Sequence, residues 1–235
     1  MKLEALVNDF GVRSFRDIGD SDYIAARMAC RAGLVTQFLW ASQQTIEKFF
    51  KCILLLNRIP AKDVHHDLRK ALWKINGSGK LTLDLTEGTT GFINTLADCG
   101  QYRYFEASNV GFGGDLVTLD RAVWEVRRYC TLAIEPREAK LQNGFPAPSV
   151  RIPGGFLEKV IDDVNGHARE PLLWQNAFFG KRRRKTVRLS PWFQAHNSPL
   201  YLNPQILDEV MKYVYLPKGI AAAYRVKDEA ISAPK

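Results

Sequence analysis

The feature that most constrains this chain is a long run of apolar positions at helical spacing between residues 37 and 56. Leu39, Ile46, Phe49, Phe50 and Ile53 recur at steps of three and four, with small Ser42 in the gap. That period belongs to an amphipathic helix, not to a strand. Gln37, Gln44, Glu47, Lys48 and Lys51 share another face, and Glu47 precedes Lys51 by four residues, the favourable order for a helical charge pair. The helix is predicted to stop near Asn57, with Pro60 beyond it. A stripe this long must be buried against other elements, so its neighbours decide the fold.

Upstream, Leu3, Leu6, Val7 and Phe10 predict a short helix ending at Gly11. Asp20 or Ser21 is placed to cap the next helix, which runs to about Ala32. Ala25, Ala26, Ala29 and Ala32, with Ile24 and Met28, give it a low-profile stripe suited to close helix packing. Gly33 marks the turn, so the two helices are expected to form an antiparallel hairpin. Downstream, a third short helix spans Leu68 to Ile75 and is broken by Asn76-Gly77-Ser78-Gly79, and residues 80–88 read as loop or as a short extended piece. A fourth helix is predicted from about Thr89 to Tyr102, then a Gly-rich turn at Gly111-Phe112-Gly113-Gly114. That turn has no Lys-Ser/Thr after it and no strand before it, which excludes a phosphate loop. Thr118 caps a fifth helix through Val123, Val126 and Cys130.

The fold class expected is therefore mainly α: an up-and-down helical bundle over residues 1–140. A linker over 141–155 follows from Asn143-Gly144-Phe145-Pro146 and Pro153-Gly154-Gly155. Residues 156–235 read as a smaller, basic, aromatic-rich region, mixed α/β or irregular. It has a short helix from Phe156, a strand near Thr186–Leu189 and a helix start at Asn203-Pro204. Charge supports the division: residues 137–235 hold 16 Lys+Arg against 9 Asp+Glu, and residues 1–136 hold 17 against 16, within a total of +8.

A hydrophobic fraction of 46% and a charged fraction of 25% are those of a soluble globular protein. No apolar run reaches the roughly 18 residues a membrane span needs, and the acidic amino terminus lacks a leader-like apolar core. A cytoplasmic protein without a membrane partner is expected. Cys30, Cys52, Cys99 and Cys130 show no Cys-x-x-Cys spacing, so buried thiols are expected rather than a metal site or disulfides.

Three pieces in order carry a resemblance. The Ala-rich helix at Tyr23–Ala29 is followed at once by Gln43-Gln44-Thr45-Ile46-Glu47-Lys48-Phe49-Phe50-Lys51, and a loop later by His66-Asp67-Leu68. Tyr102-Arg103-Tyr104 then precedes the last helix of the bundle. Over residues 15–135 the chain resembles the HEPN family (higher eukaryotes and prokaryotes nucleotide-binding), with its Gln-x-x-x-Glu-Lys-x-x-Lys, His-Asp-Leu and Arg-Tyr patterns. The resemblance implies a helical bundle that pairs as a homodimer. In many members it also implies a metal-independent ribonuclease whose motif is Arg, four to six residues, then His. This chain departs from that motif: its histidines are His65, His66, His167 and His196, and six residues after Arg103 stands Asn109, which is no base.

Two groups of candidate residues follow. His66, with Asp67 as orienting carboxylate and Arg103 as phosphate-stabilising cation, could serve acid–base chemistry on a ribose hydroxyl. Asp67 as a helix cap, His66 as a helix contact and Arg103 as a bridge between helices are the structural alternatives. Lys181-Arg182-Arg183-Arg184-Lys185, with Arg188, forms a run able to neutralise phosphates. Its aromatic flanks Phe178, Phe179, Trp192 and Phe193, together with Tyr102 and Tyr104, suit stacking on unpaired bases. The alternative is a solvated basic loop beside a small core. The reading reached is a HEPN-like dimeric module binding RNA or nucleotides, with no intact ribonuclease motif and no cofactor or metal. A divergent endoribonuclease of toxin or defence type, or a protein–protein adaptor in such a system, is the alternative.

Overall fold

The computed structural model describes residues 3–99, 109–112, 114–131, 141–142, 145–146, 155–180, 193–196, 204–212, 221–222 and 225. The described architecture is mainly helical. α1 (Leu3–Gly11), a π-helical turn (Val12–Arg16) and α2 (Asp17–Arg31) follow one another with no break. α1 ends at Gly11 as its sequence suggested, but the chain stays helical through the π-helical turn instead of breaking there. Gly11 lies where a Cβ would come 2.9 Å from Leu55 Cδ2, so the glycine serves close packing.

The expected cap at Asp20 is also corrected. Asp20 lies inside α2, fully buried, with its carboxylate on the Arg127 guanidinium. Ser21 turns its hydroxyl back onto the Asp17 carbonyl at 3.1 Å. A carboxylate with a guanidinium in reach gains more there than at a helix end. The other end of α2 follows the sequence. Gly33 adopts φ +72°, its N–H reaches the Cys30 carbonyl at 3.0 Å, and the Leu34 N–H reaches the Ala29 carbonyl at 2.9 Å. These two bonds form a Schellman cap, which needs a left-handed residue at the turn.

α3 (Val35–Leu56) returns alongside α2, and the expected stripe of Leu39, Ile46, Phe49, Phe50 and Ile53 is buried, Ser42 with it. Gly19 of α2 sits where a Cβ would be 2.9 Å from the Phe49 ring. The end of α3 repeats the Schellman geometry with Arg58 at φ +54°. Its N–H bonds the Leu55 carbonyl at 3.0 Å, and Ile59 N–H bonds the Leu54 carbonyl at 2.8 Å. α4 (Leu68–Asn76) and α5 (Glu87–Cys99) close the bundle with α6 (Asp115–Arg127). α6 starts at Asp115, before the expected cap Thr118, whose hydroxyl instead bonds the Gly114 carbonyl at 3.1 Å.

Gly111-Phe112 is not a turn but part of β1 (Asn109–Phe112). This strand pairs antiparallel with β4 (Phe193–His196), Asn109 opposite His196 and Phe112 opposite Phe193. Within the stretch read as linker, β2 (Leu141–Gln142) pairs antiparallel with β3 (Phe145–Pro146). The strand expected near Thr186–Leu189 lies outside the described residues. α7 (Phe156–Asp162) and α8 (Arg169–Leu173) follow, and a 3-10 turn from Pro204 leads into α9 (Leu207–Val210).

Residues 155–180 pack on the bundle. Leu157 and Leu172 are fully buried in the same core as Tyr23, Phe49 and Val126, and Phe179 joins them with its ring 5.6 Å from Tyr23 and 5.4 Å from Trp124. A segment expected to open a separate region thus supplies core side chains to the helices before it. Cys30, Cys52 and Cys130 are buried free thiols, and burial pushes the Cys30 thiol up to about 12. Among the described residues, no helix is long and apolar enough to cross a membrane.

Candidate functional site: an exposed histidine on a buried carboxylate

Beyond α3 the chain reverses through a loop anchored by buried Val64, with His65 in the left-handed region at φ +49°. The reversal lays His66 against the middle of α3. Its Nδ1 is 3.0 Å from both carboxylate oxygens of Glu47, and Glu47 Oε1 accepts from Lys51 Nζ at 2.7 Å. Glu47 is only 6% exposed while the imidazole is 60% exposed. One residue on, Lys48 is held by Asp22 at 2.5 Å and Gln44 at 3.3 Å. Glu47 is the sole acidic residue of α3.

An imidazole engaged through Nδ1 by a carboxylate has its tautomer and ring plane set, with Nε2 directed elsewhere. That is the arrangement of an orienting acid and a proton carrier, and equally of a polar contact for an incoming phosphate. The expected orienter, Asp67, does a different job: its carboxylate accepts the Lys70 N–H at 2.9 Å and caps α4. His66 and Asp67 are therefore neighbours in sequence but not partners in chemistry. Arg103, Tyr102, Tyr104, the run Lys181-Arg182-Arg183-Arg184-Lys185 and Arg188 lie outside the described residues. Sequence reasoning placed Glu47 on a polar face and missed it as the partner of His66. The available signal was a single carboxylate followed by two helical lysines, one loop before a His.

A second polar system is largely interior, with half-buried Glu158 at its edge. Asp20 of α2 receives Arg127 of α6 through two bonds, Nε–Oδ1 at 2.6 Å and Nη2–Oδ2 at 2.8 Å. Arg127 also grips Glu158 of α7 bidentately at 2.8 and 2.9 Å. Two turns along, Arg27 of α2 bonds Asp120 of α6, and its remaining nitrogens donate to the carbonyls of Pro171 and Trp174. Tyr23 O–H donates to Asp120 at 2.6 Å, and Asn176 amide N–H donates to the Tyr23 oxygen at 2.8 Å.

Burial raises the Asp20 and Asp120 carboxyls against the pull of their guanidinium partners. Burial is also the largest single influence on Glu158 and opposes its ionisation, but the hydrogen bonds and charge of Arg127, with smaller help from its own backbone and Arg16, together outweigh it and hold that carboxyl below its ordinary value. These charges are paired with one another and with backbone, save Asp120 Oδ2, which is buried without a hydrogen-bond partner among the described residues; such pairing suits tying helices together rather than turning over a substrate.

Comparison with family models, with curated proteins and with solved structures gives no match. Among the described residues, no group of three or more His, Cys, Asp or Glu is arranged to hold a metal ion.

Proposed function

We propose that this chain is a HEPN-like helical module that binds RNA or nucleotides as a homodimer, without an intact Arg-x4-6-His ribonuclease motif. The observation that supports it is the meeting of Glu47, Lys51 and His66. These residues carry two separate pieces of the family resemblance, and they converge in one partly exposed polar cluster. A conventional ribonuclease is disfavoured by the sequence around Arg103, where the position of the base is held by Asn109. The basic run at Lys181–Lys185 supplies the second element of the reading, a set of five consecutive cations for phosphate.

The test is a mobility or filter-binding assay with single-stranded RNA across a salt series, beside sedimentation of the free protein. Binding that weakens steeply with salt, and flattens when Lys181–Lys185 are changed to Gln, is the expected result. Salt-insensitive binding, or none, rejects it.

A second reading has its own observation: His66, oriented by buried Glu47, is equipped to act as a general base in a divergent ribonuclease. Under that reading purified protein cleaves RNA, and both His66→Ala and Glu47→Gln abolish cleavage while the fold is retained. Cleavage at full rate in both variants rejects it.

A further inference from the structure

Residues 57–80 hold six of the cations and only two of the carboxylates, so this single stretch carries a net +4. Its charges are gathered rather than dispersed. Lys74 Nζ reaches the Pro60 carbonyl at 3.1 Å, Lys70 Nζ the Asp63 carbonyl at 2.8 Å and Lys80 Nζ the Asn57 carbonyl at 2.7 Å. Both Lys70 and Lys74 also pair with the exposed carboxylate of Asp63, whose pKa their hydrogen bonds hold far below the usual range. One carboxylate shared by two ammonium groups leaves local positive charge in excess.

Beside Lys70 on α4 stands Trp73, 72% exposed although it is among the largest apolar side chains. On the α4 wheel it lies between Arg69 and Lys70, which lean to opposite sides. Arg69 goes to Asn94 and Asp98 of α5, Lys70 to Asp63. Among the described residues, no ring or guanidinium stacks on the Trp73 indole.

We propose that this face of α4 and the turn that follows it, with Trp73 as the stacking platform and Lys70, Lys74 and Lys80 as the phosphate contacts, docks single-stranded nucleic acid. The proposal rests on the reading that the ligand is nucleic acid and adds where and in what form it is held. A protruding indole with a bare π-face among cations fits an unpaired base next to its phosphates. A duplex keeps its bases stacked on one another and has no face to offer. An acidic peptide would use the lysines and leave the indole idle.

The experiment is titration of the full chain with fluorescent oligouridylate and with duplex RNA of equal length, for wild type, Trp73→Ala, Trp73→Phe and Lys70→Gln/Lys74→Gln/Lys80→Gln. Circular dichroism confirms that each variant is folded. Trp73→Ala is expected to weaken oligouridylate binding about tenfold at fixed salt, and Trp73→Phe to restore most of it. The triple lysine variant should flatten the slope of log affinity against log salt by roughly 2, at about 0.7 per lost phosphate contact. Duplex should bind more weakly than the single strand in wild type, and Trp73→Ala should leave duplex affinity unchanged. Wild-type binding that Trp73→Ala leaves intact overturns the proposal while the RNA-binding reading stands. No wild-type binding to either RNA overturns both.

Discussion

Arg127 shows what a single side chain does in this molecule. It holds α2 through Asp20 and α7 through Glu158, using Nε, Nη1 and Nη2. Removing the guanidinium would leave the buried Asp20 carboxylate facing half-buried Glu158 with no cation between them. Arg127→Ala is therefore expected to cost about 3–5 kcal/mol in denaturant unfolding, and a loss below about 1 kcal/mol would show the pair to be dispensable. The Glu158 arm predicts a pH signature. Its folded pKa is depressed, so its contribution is present above the ordinary glutamate range and disappears as pH falls through the depressed value. Melting temperatures of wild type and Glu158→Gln should coincide in strong acid and separate as pH rises. Parallel curves at every pH would show that Glu158 is not ionised against Arg127. Gly19 offers a steric counterpart. A methyl there meets the Phe49 ring at 2.9 Å and Lys48 Cβ at 3.3 Å, so Gly19→Ala should destabilise by about 1–3 kcal/mol through overpacking.

At the scale of elements, the helices were legible wherever one stripe met one core. The stripe of α3, the Gly33 turn, the cap at Asp67 and the start at Pro204 all stand in the structure as the sequence suggested. Helix beginnings were misread where a small polar residue imitates a cap. Asp20 was claimed by an arginine far along the chain, and Thr118 bonded back into its own helix. Local propensity cannot register a partner separated by a hundred residues. For the same reason the site's buried acid escaped notice, because the loop that brings His66 to Glu47 has no periodicity to read. The α2–α3 connection makes its own prediction: with φ at +72°, Gly33→Ala should cost about 1 kcal/mol, measured by thermal melting.

At the scale of the whole molecule, residues 155–180 decide what can fold alone. They place Leu157, Leu172 and Phe179 in the core and provide backbone carbonyls to Arg27. A chain cut at residue 140 leaves Arg27 and Arg127 short of partners and is expected to lose its cooperative melt. A chain cut at residue 180 is expected to keep it. Equal melts for the two would mean that this segment adds nothing to stability. The two buried ion pairs between α2 and α6 have a further consequence. Each helix carries an Asp and an Arg seven residues apart, Asp20 and Arg27 on one, Asp120 and Arg127 on the other. Run antiparallel in the observed alignment, acid meets base twice. Slide one helix by two turns, and Asp20 faces Asp120 or Arg27 faces Arg127. Run the helices parallel in matched alignment, and both contacts become like-charged. The same four residues that fasten the native bundle thus make its nearest misassembled forms electrostatically forbidding.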